Sequence, residues 1–136
     1  MKSKFIIIAC IFTFITSCAP GVNSHLEDHL VAYNWKITYM KSSNVEVTSI
    51  FNPYVFNFEA NNTIIVTKVD STFQGTWSRS NSSQENPKIL LNFGTHYQLS
   101  LLNYDWQQKG RTDYIVQLVD EMNASGSESV TFERLP

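Results

Sequence analysis

The sequence predicts an all-β domain: an antiparallel up-and-down barrel of about eight strands with a short helix ahead of it. Three observations lead there. From Trp35 onward, large apolar residues alternate with polar ones at period two, the pattern of strands that bury one face. Short clusters of turn-forming residues separate the alternating runs, so successive strands join as hairpins. Nine Phe, six Tyr and three Trp in 136 residues supply bulk for one shared interior. One domain is expected at this length. Closure into a barrel removes both exposed sheet edges. The same hairpins also fit a flattened two-sheet sandwich, and the pattern leaves that choice open.

The elements follow in chain order. Ser24-His25-Leu26-Glu27 fits a capping box, in which a serine hydroxyl and a glutamate carboxylate satisfy free amides at a helix start. Leu26, Leu30 and Tyr33 then share helical spacing, which predicts a helix over 25–33 packed on the body through that stripe. Trp35 to Met40 alternates as a strand, and Val45-Glu46-Val47 is extended within the polar connection at 41–52. Tyr54, Phe56 and Phe58 share one strand face, with Asn57 and Glu59 on the other. Ala60-Asn61-Asn62 is a tight turn, because asparagine tolerates left-handed backbone, and Thr63 to Val69 returns.

A second turn at Asp70-Ser71 leads into a strand that faces Phe73, Gly75 and Trp77 one way. A glycine in mid-strand implies a bulge, a bend or a close approach by another group. Residues 78–87 are polar and read as a mobile loop. Lys88 to Phe93 is a strand with Ile89, Leu91 and Phe93 inward. Leu99, Leu102 and Trp106 have helical spacing, so a helical turn precedes a short strand at 105–109. Asp113 to Val119 and Ser129 to Leu135 form the last hairpin across a polar loop at 120–128.

The amino end carries an address. Lys2 and Lys4 precede a largely apolar run from Phe5 to Thr16, the layout of a secretory leader. A spanning helix needs roughly 20 such residues, so this run is too short to cross. Ile15-Thr16-Ser17-Cys18 resembles the bacterial lipobox. That resemblance implies a leader at 1–17, a diacylglyceryl group on Cys18, cleavage before it, a lipidated tether at 18–23 and a domain over 24–136. Two or more acyl chains hold a protein stably on a membrane. With alanine at position 19 rather than aspartate, the expected place is the outer membrane, facing the periplasm.

Losing Lys2 and Lys4 leaves 8 basic against 12 acidic residues, a balance of −4. Nucleic-acid binding needs a concentrated positive face, so it is not expected. Cys10 leaves with the leader and Cys18 is lipidated, so the domain has no disulfide and no thiol nucleophile.

Trp35-Lys36-Ile37-Thr38-Tyr39, Tyr54-Val55-Phe56-Asn57-Phe58, Gly75-Thr76-Trp77, Leu102-Asn103-Tyr104-Asp105-Trp106, Leu118 and Thr131-Phe132-Glu133-Arg134-Leu135 form a set whose order and spacing are informative. The set resembles small bacterial lipocalin-like lipoproteins. That family implies an up-and-down barrel and no shared catalytic residues. Lipocalins proper carry Gly-x-Trp on the first strand. Here Tyr33-Asn34-Trp35 lacks the glycine, and Gly75-Thr76-Trp77 lies mid-chain.

No catalytic set, metal site or cofactor is expected. His25 and His29 stand one helical turn apart, but the zinc-protease pattern is broken by Leu26, and a solvated helix flank is the expected role. His96 is the remaining histidine. Asp105, Asp113, Glu121 and Glu128 are expected to be solvated at strand ends, and no nucleophile elbow or phosphate loop is present. Asn61, Asn81 and Asn123 open Asn-x-Ser/Thr triplets, which matter only in a eukaryotic secretory route. Asp70-Ser71-Thr72 resembles an O-glycosylation motif of some bacterial envelopes.

The inward rings remain. Tyr54, Phe56, Phe58, Phe73 and Trp77 either line a pocket for a small apolar or amphipathic ligand or fill the interior outright. The expected protein is thus a non-enzymatic, lipid-anchored envelope protein that binds a small molecule. The alternative is an interaction module that binds a protein or glycan through its outer face.

Overall fold

The computed structural model describes residues 25–120 and 127–136. The leader, Cys18, the tether, Ser24, Glu121 and Asn123 lie outside the described residues. Helix α1 spans Leu26–Ala32. It is followed by β1 (Asn34–Ser42), β2 (Val45–Glu46), β3 (Val55–Phe58), β4 (Thr63–Lys68) and β5 (Ser71–Arg79). The chain continues through β6 (Lys88–Asn92), β7 (Asp105–Arg111), β8 (Ile115–Asp120) and β9 (Ser129–Arg134). Short 3-10 turns sit at Thr48–Phe51 and Leu99–Leu102.

All pairings are antiparallel, and β1 pairs with β9 from Trp35↔Arg134 to Lys41↔Ser129. That ladder closes β1 and β3–β9 into an eight-stranded barrel and decides against a sandwich. A bulge between Ile37 and Tyr39 bends β1 where it must serve both neighbours. β2 is a two-residue tail on the far end of β1.

The turns take the left-handed residues they need. Ser43 and Asn44 both have positive φ in the two-residue hairpin loop between β1 and β2. Asn62 does the same between β3 and β4, as expected for asparagine. Val69 is the exception: its φ is 40° although its side chain is β-branched.

Gly75 resolves to the third of its expected roles. It pairs in register with Ile64, without a bulge. A Cβ there would lie 2.5 Å from Phe93 Cδ1 and 2.8 Å from the Asn92 carbonyl oxygen. The glycine therefore makes room for the Phe93 ring.

Inward-facing residues of every barrel strand form one core, including Trp35, Ile37, Phe56, Phe58, Ile64, Val66, Ile89, Leu91, Val116, Leu118 and Phe132. Burying an indole strands its N–H unless an acceptor is supplied. All three tryptophans donate to backbone carbonyls outside the strands. Trp35 donates to the Leu30 carbonyl near the end of α1, and Trp106 donates to the Leu102 carbonyl at the end of the second 3-10 turn, both at 2.9 Å. Trp77 donates to the Glu59 carbonyl at the β3–β4 turn, also at 2.9 Å. The rings thereby pin the non-strand pieces onto the barrel.

Four local expectations change. The buried stripe of α1 is Leu26, His29 and Leu30, because the backbone turns extended at Tyr33 and leaves that ring exposed. His25 is the N-cap and makes no side-chain cap bond. The 80–87 segment is held rather than free: the Asn81 amide donates to the Asn86 carbonyl (2.9 Å) while its oxygen accepts from the Lys88 N–H (2.9 Å). Glu128 is buried rather than solvated, as is its neighbour across the hairpin, Asp120.

Candidate functional site

The five rings singled out in the sequence do converge on the interior. Phe56 and Phe58 point inward from β3 and meet Phe132 edge-on, with centroids 5.4 Å and 5.9 Å away. Tyr54, just ahead of β3, is buried, and its hydroxyl bonds the Gln98 side-chain oxygen. Phe73 is only partly buried and stands edge-on to Tyr54 (6.1 Å) and to His96 (4.4 Å). Trp77 meets Phe58 at 5.7 Å and is 5 % exposed. These rings pack against one another in the geometry aromatic pairs prefer.

Trp77 also reaches a cleft of about 420 Å³ at the end of the barrel crossed by α1. The helix contributes Glu27 and Val31 from one row and Asp28 and Ala32 from the next, each pair one turn apart. The β3–β4 turn contributes Ala60 and Asn62. β5 contributes Trp77 and, two residues on and so on the same face, Arg79.

Arg79 organises this end. Its Nη1 donates to Glu27 Oε1 at 2.6 Å, and its Nη2 donates to the Ser83 carbonyl at 2.7 Å and to Asn81 Oδ1 at 3.4 Å. Both partners are substantially shielded, with side chains 13 % and 31 % exposed. Glu27 Oε2 and Arg79 Nε are buried with no hydrogen-bond partner among the described residues. Arg111 lies opposite Val116 in the β7–β8 register. Burial lowers its pKa, while Glu27 and Asp113 act to raise it.

His29 is buried beside this cluster, between the rings of Tyr33 (5.6 Å) and Trp35 (5.2 Å). Desolvation holds its pKa below the ordinary imidazole value, and the Arg111 charge adds to that. The solvated flank expected for the histidine pair therefore holds for His25 alone, which is exposed and bonded to Gln84 Oε1 at 2.6 Å. Outside, the Arg134 guanidinium is sandwiched between Tyr33 and Tyr114, 4.3 Å from each ring centre.

At the opposite end, Glu128 Oε1 accepts from the Ser43 N–H at 2.6 Å, which ties the β1–β2 loop to the barrel. The charges of Glu128 and Asp120 add to burial in raising the Tyr104 pKa. Among the described residues, no group of three or more His, Cys, Asp or Glu could hold a metal ion. No described helix is long and apolar enough to cross a membrane. Asp70, Ser71 and Thr72 are exposed at the β4–β5 turn.

The fold has a solved counterpart. A DUF4847 family protein from Bacteroides vulgatus superposes with a TM-score of 0.53 over 79 % of this chain and 95 % of that one, at 14 % identity. At that identity the likeness shows the fold alone. No family model and no curated protein matches the sequence.

Periodicity found the inward rings, Trp77 included. It missed Glu27, Asp28 and Arg79 as one group. Their only trace was the chemistry of a charged residue on an inward strand face, two positions after Trp77.

Proposed function

We propose that this is a lipid-anchored protein of the cell envelope, tethered through Cys18 to the outer membrane on its periplasmic side, and that it binds a small amphipathic molecule in the cleft beside α1. Binding rather than catalysis is its role. The observation that carries the ligand reading is the cleft itself. Its volume of about 420 Å³ falls in the ~300–1,000 Å³ range of small-molecule sites. Its lining joins an apolar strip (Val31, Ala32, Ala60, Trp77) to a few convergent polar groups, the usual makeup of such sites. Of the five inward rings Trp77 lines the cleft, and Phe58 packs against it from the core.

Native mass spectrometry of protein extracted from its own membrane tests this reading. A retained small molecule, lost on Val31→Glu, is the expected result; a clean apo mass overturns it. Palmitate labelling of the parent and Cys18→Ala tests the anchor, and equal label in both ends that claim.

A second reading, an interaction module for a protein or glycan, is favoured by exposed aromatic surface. Tyr97 is 90 % and Tyr114 59 % exposed. Cross-linking in intact cells through Tyr97 and Tyr114 would separate the two.

A further inference from the structure

An anchor at Cys18 would hold one end of the barrel close to the membrane. His25, the N-cap of α1, bonds Gln84 in the β5–β6 connection. From there α1 crosses the barrel end to Tyr33, just ahead of β1 on the other side of the strand ring. Seven residue steps separate Cys18 from His25. At ~3.6 Å per residue they reach at most about 25 Å, whatever path they take. β1 alone, nine residues long, covers ~20 Å of barrel height at ~3.3 Å per residue and a tilt of ~40°. Seating the far end on the bilayer would need the tether drawn almost straight along the barrel wall. Seating the α1 end needs no such stretch.

The surface at the α1 end has the makeup of a bilayer contact. Tyr33 and Tyr114 are both exposed, and the Arg134 guanidinium lies between them at 4.3 Å from each ring centre. The Arg134 N–H donates to the Tyr114 carbonyl at 2.8 Å, so the backbone itself fixes two of the three side by side. No carboxylate pairs with Arg134 among the described residues. A guanidinium stacked between two rings keeps the N–H donors of its edge, and that edge matches a phosphate. Tyrosine rings settle at the headgroup level of a bilayer, where the ring is in apolar surroundings and the hydroxyl is wet. Val31 is exposed at the same end. Asp28 and Asp113 are exposed there too, so the face is mixed in charge and suits a zwitterionic headgroup. Tyr97 and Val69 are more exposed still, but they belong to the connections at the other end, away from the tether.

We infer that the α1 end is the face that rests on the membrane, with Tyr33 and Tyr114 at headgroup depth and Arg134 on a phospholipid phosphate between them. The inference rests on the Cys18 anchor proposed above and adds the orientation that the anchored domain adopts. It sets the cleft beside α1 next to the bilayer and turns Tyr97 away from it.

The three indole N–H resonances report the orientation. Trp35 and Trp77 lie toward the α1 end, on the Leu30 carbonyl and beside the cleft. Trp106 lies toward the other end, on the Leu102 carbonyl and opposite Asp120 at the close of β8. The full mature chain, coupled through Cys18 to a maleimide lipid, is placed in phosphatidylcholine nanodiscs carrying a small fraction of nitroxide-headgroup lipid. Trp35 and Trp77 should broaden at least about threefold more than Trp106. Equal broadening of all three, or strongest broadening of Trp106, overturns the inference. Tyr33→Ser combined with Tyr114→Ser should bring the three toward equal broadening, as should Arg134→Gln in part, while Tyr97→Ser should change nothing. Dispersed indole resonances verify that each variant is folded. An unchanged difference in the double variant would overturn the assigned ring contact. Because the lipid is attached chemically, this result stands apart from palmitate labelling: equal label in the parent and Cys18→Ala removes the natural anchor, whereas equal broadening removes the membrane face.

Discussion

Arg79 and Glu27, 52 residues apart in the chain, meet at 2.6 Å and join β5 to α1. Both residues line the cleft, and the pair ties the helix to the barrel end. Because both side chains are largely shielded, removing one partner leaves the other desolvated. Arg79→Met should therefore destabilise the fold by about 2 kcal/mol, the scale of a hydrogen bond to a charged group. Chemical denaturation checks this. Glu27→Gln, which retains an acceptor oxygen, should lose clearly less; equal losses would mean that the geometry of the bond carries nothing.

Gly75 and Phe93 form a second fitted pair. A methyl group at 75 would stand 2.7 Å from Phe93 Cε1. Gly75→Ala should cost ~1–3 kcal/mol, the range for overpacking a filled core. Phe93→Leu in the same chain should recover part of that loss, because the two sites are in direct contact and do not add independently. Simple additivity in the double mutant would rule out the proposed clash.

Val69 holds a left-handed backbone at φ 40° with its side chain 92 % exposed. The strained turn gains nothing from burying that side chain. Val69→Gly should raise stability by roughly 1 kcal/mol, visible as a melting temperature a few degrees higher. A lower melting temperature would contradict the assigned strain.

His29 makes stability depend on pH. Burial, with help from Arg111, sets its folded pKa below the unfolded value of 6.5. Below that pH the unfolded chain takes up a proton that the folded chain resists, so the unfolded state gains. Asp113 and the Thr112 backbone oppose the shift without reversing it. Stability should thus be unaffected by this group above neutrality. It should fall as the pH drops through 6.5, and the loss should level off below the depressed folded pKa. In His29→Phe, which keeps an aromatic ring beside Tyr33 and Trp35, that segment of the pH profile should be flat. An unchanged slope would assign the effect to other groups.

Glu128 secures the β1–β2 loop through the Ser43 N–H. Glu128→Ala should destabilise by ~1.5–3 kcal/mol, the scale of a hydrogen bond to a charged group. Glu128→Gln, which keeps the acceptor, should stay near the parent. Hydrogen exchange at Ser43 gives the local measure and should quicken in the alanine variant alone.

Much of the architecture follows from local pattern. The alternation of Phe56 and Phe58 with Asn57 marks β3 because a strand turns successive side chains to opposite faces. Asn62 marks its turn because its backbone must be left-handed. Leu26 and Leu30 mark α1 through their spacing, whereas the exposed Tyr33 shows where helical spacing overruns a helix that has already ended. These are short-range constraints, so neighbouring residues reveal them.

By itself, then, the sequence determined the strand faces, the hairpin order and the inward rings. Tertiary structure alone decided barrel over sandwich, since that rests on β1 pairing with β9 nearly a hundred residues later. It alone buried His29 and Glu128 and brought Arg79 to Glu27. The physical reason is the same in each case. A charge or an imidazole has no periodicity that shows its partner, and its burial depends on groups that only chain closure brings within reach.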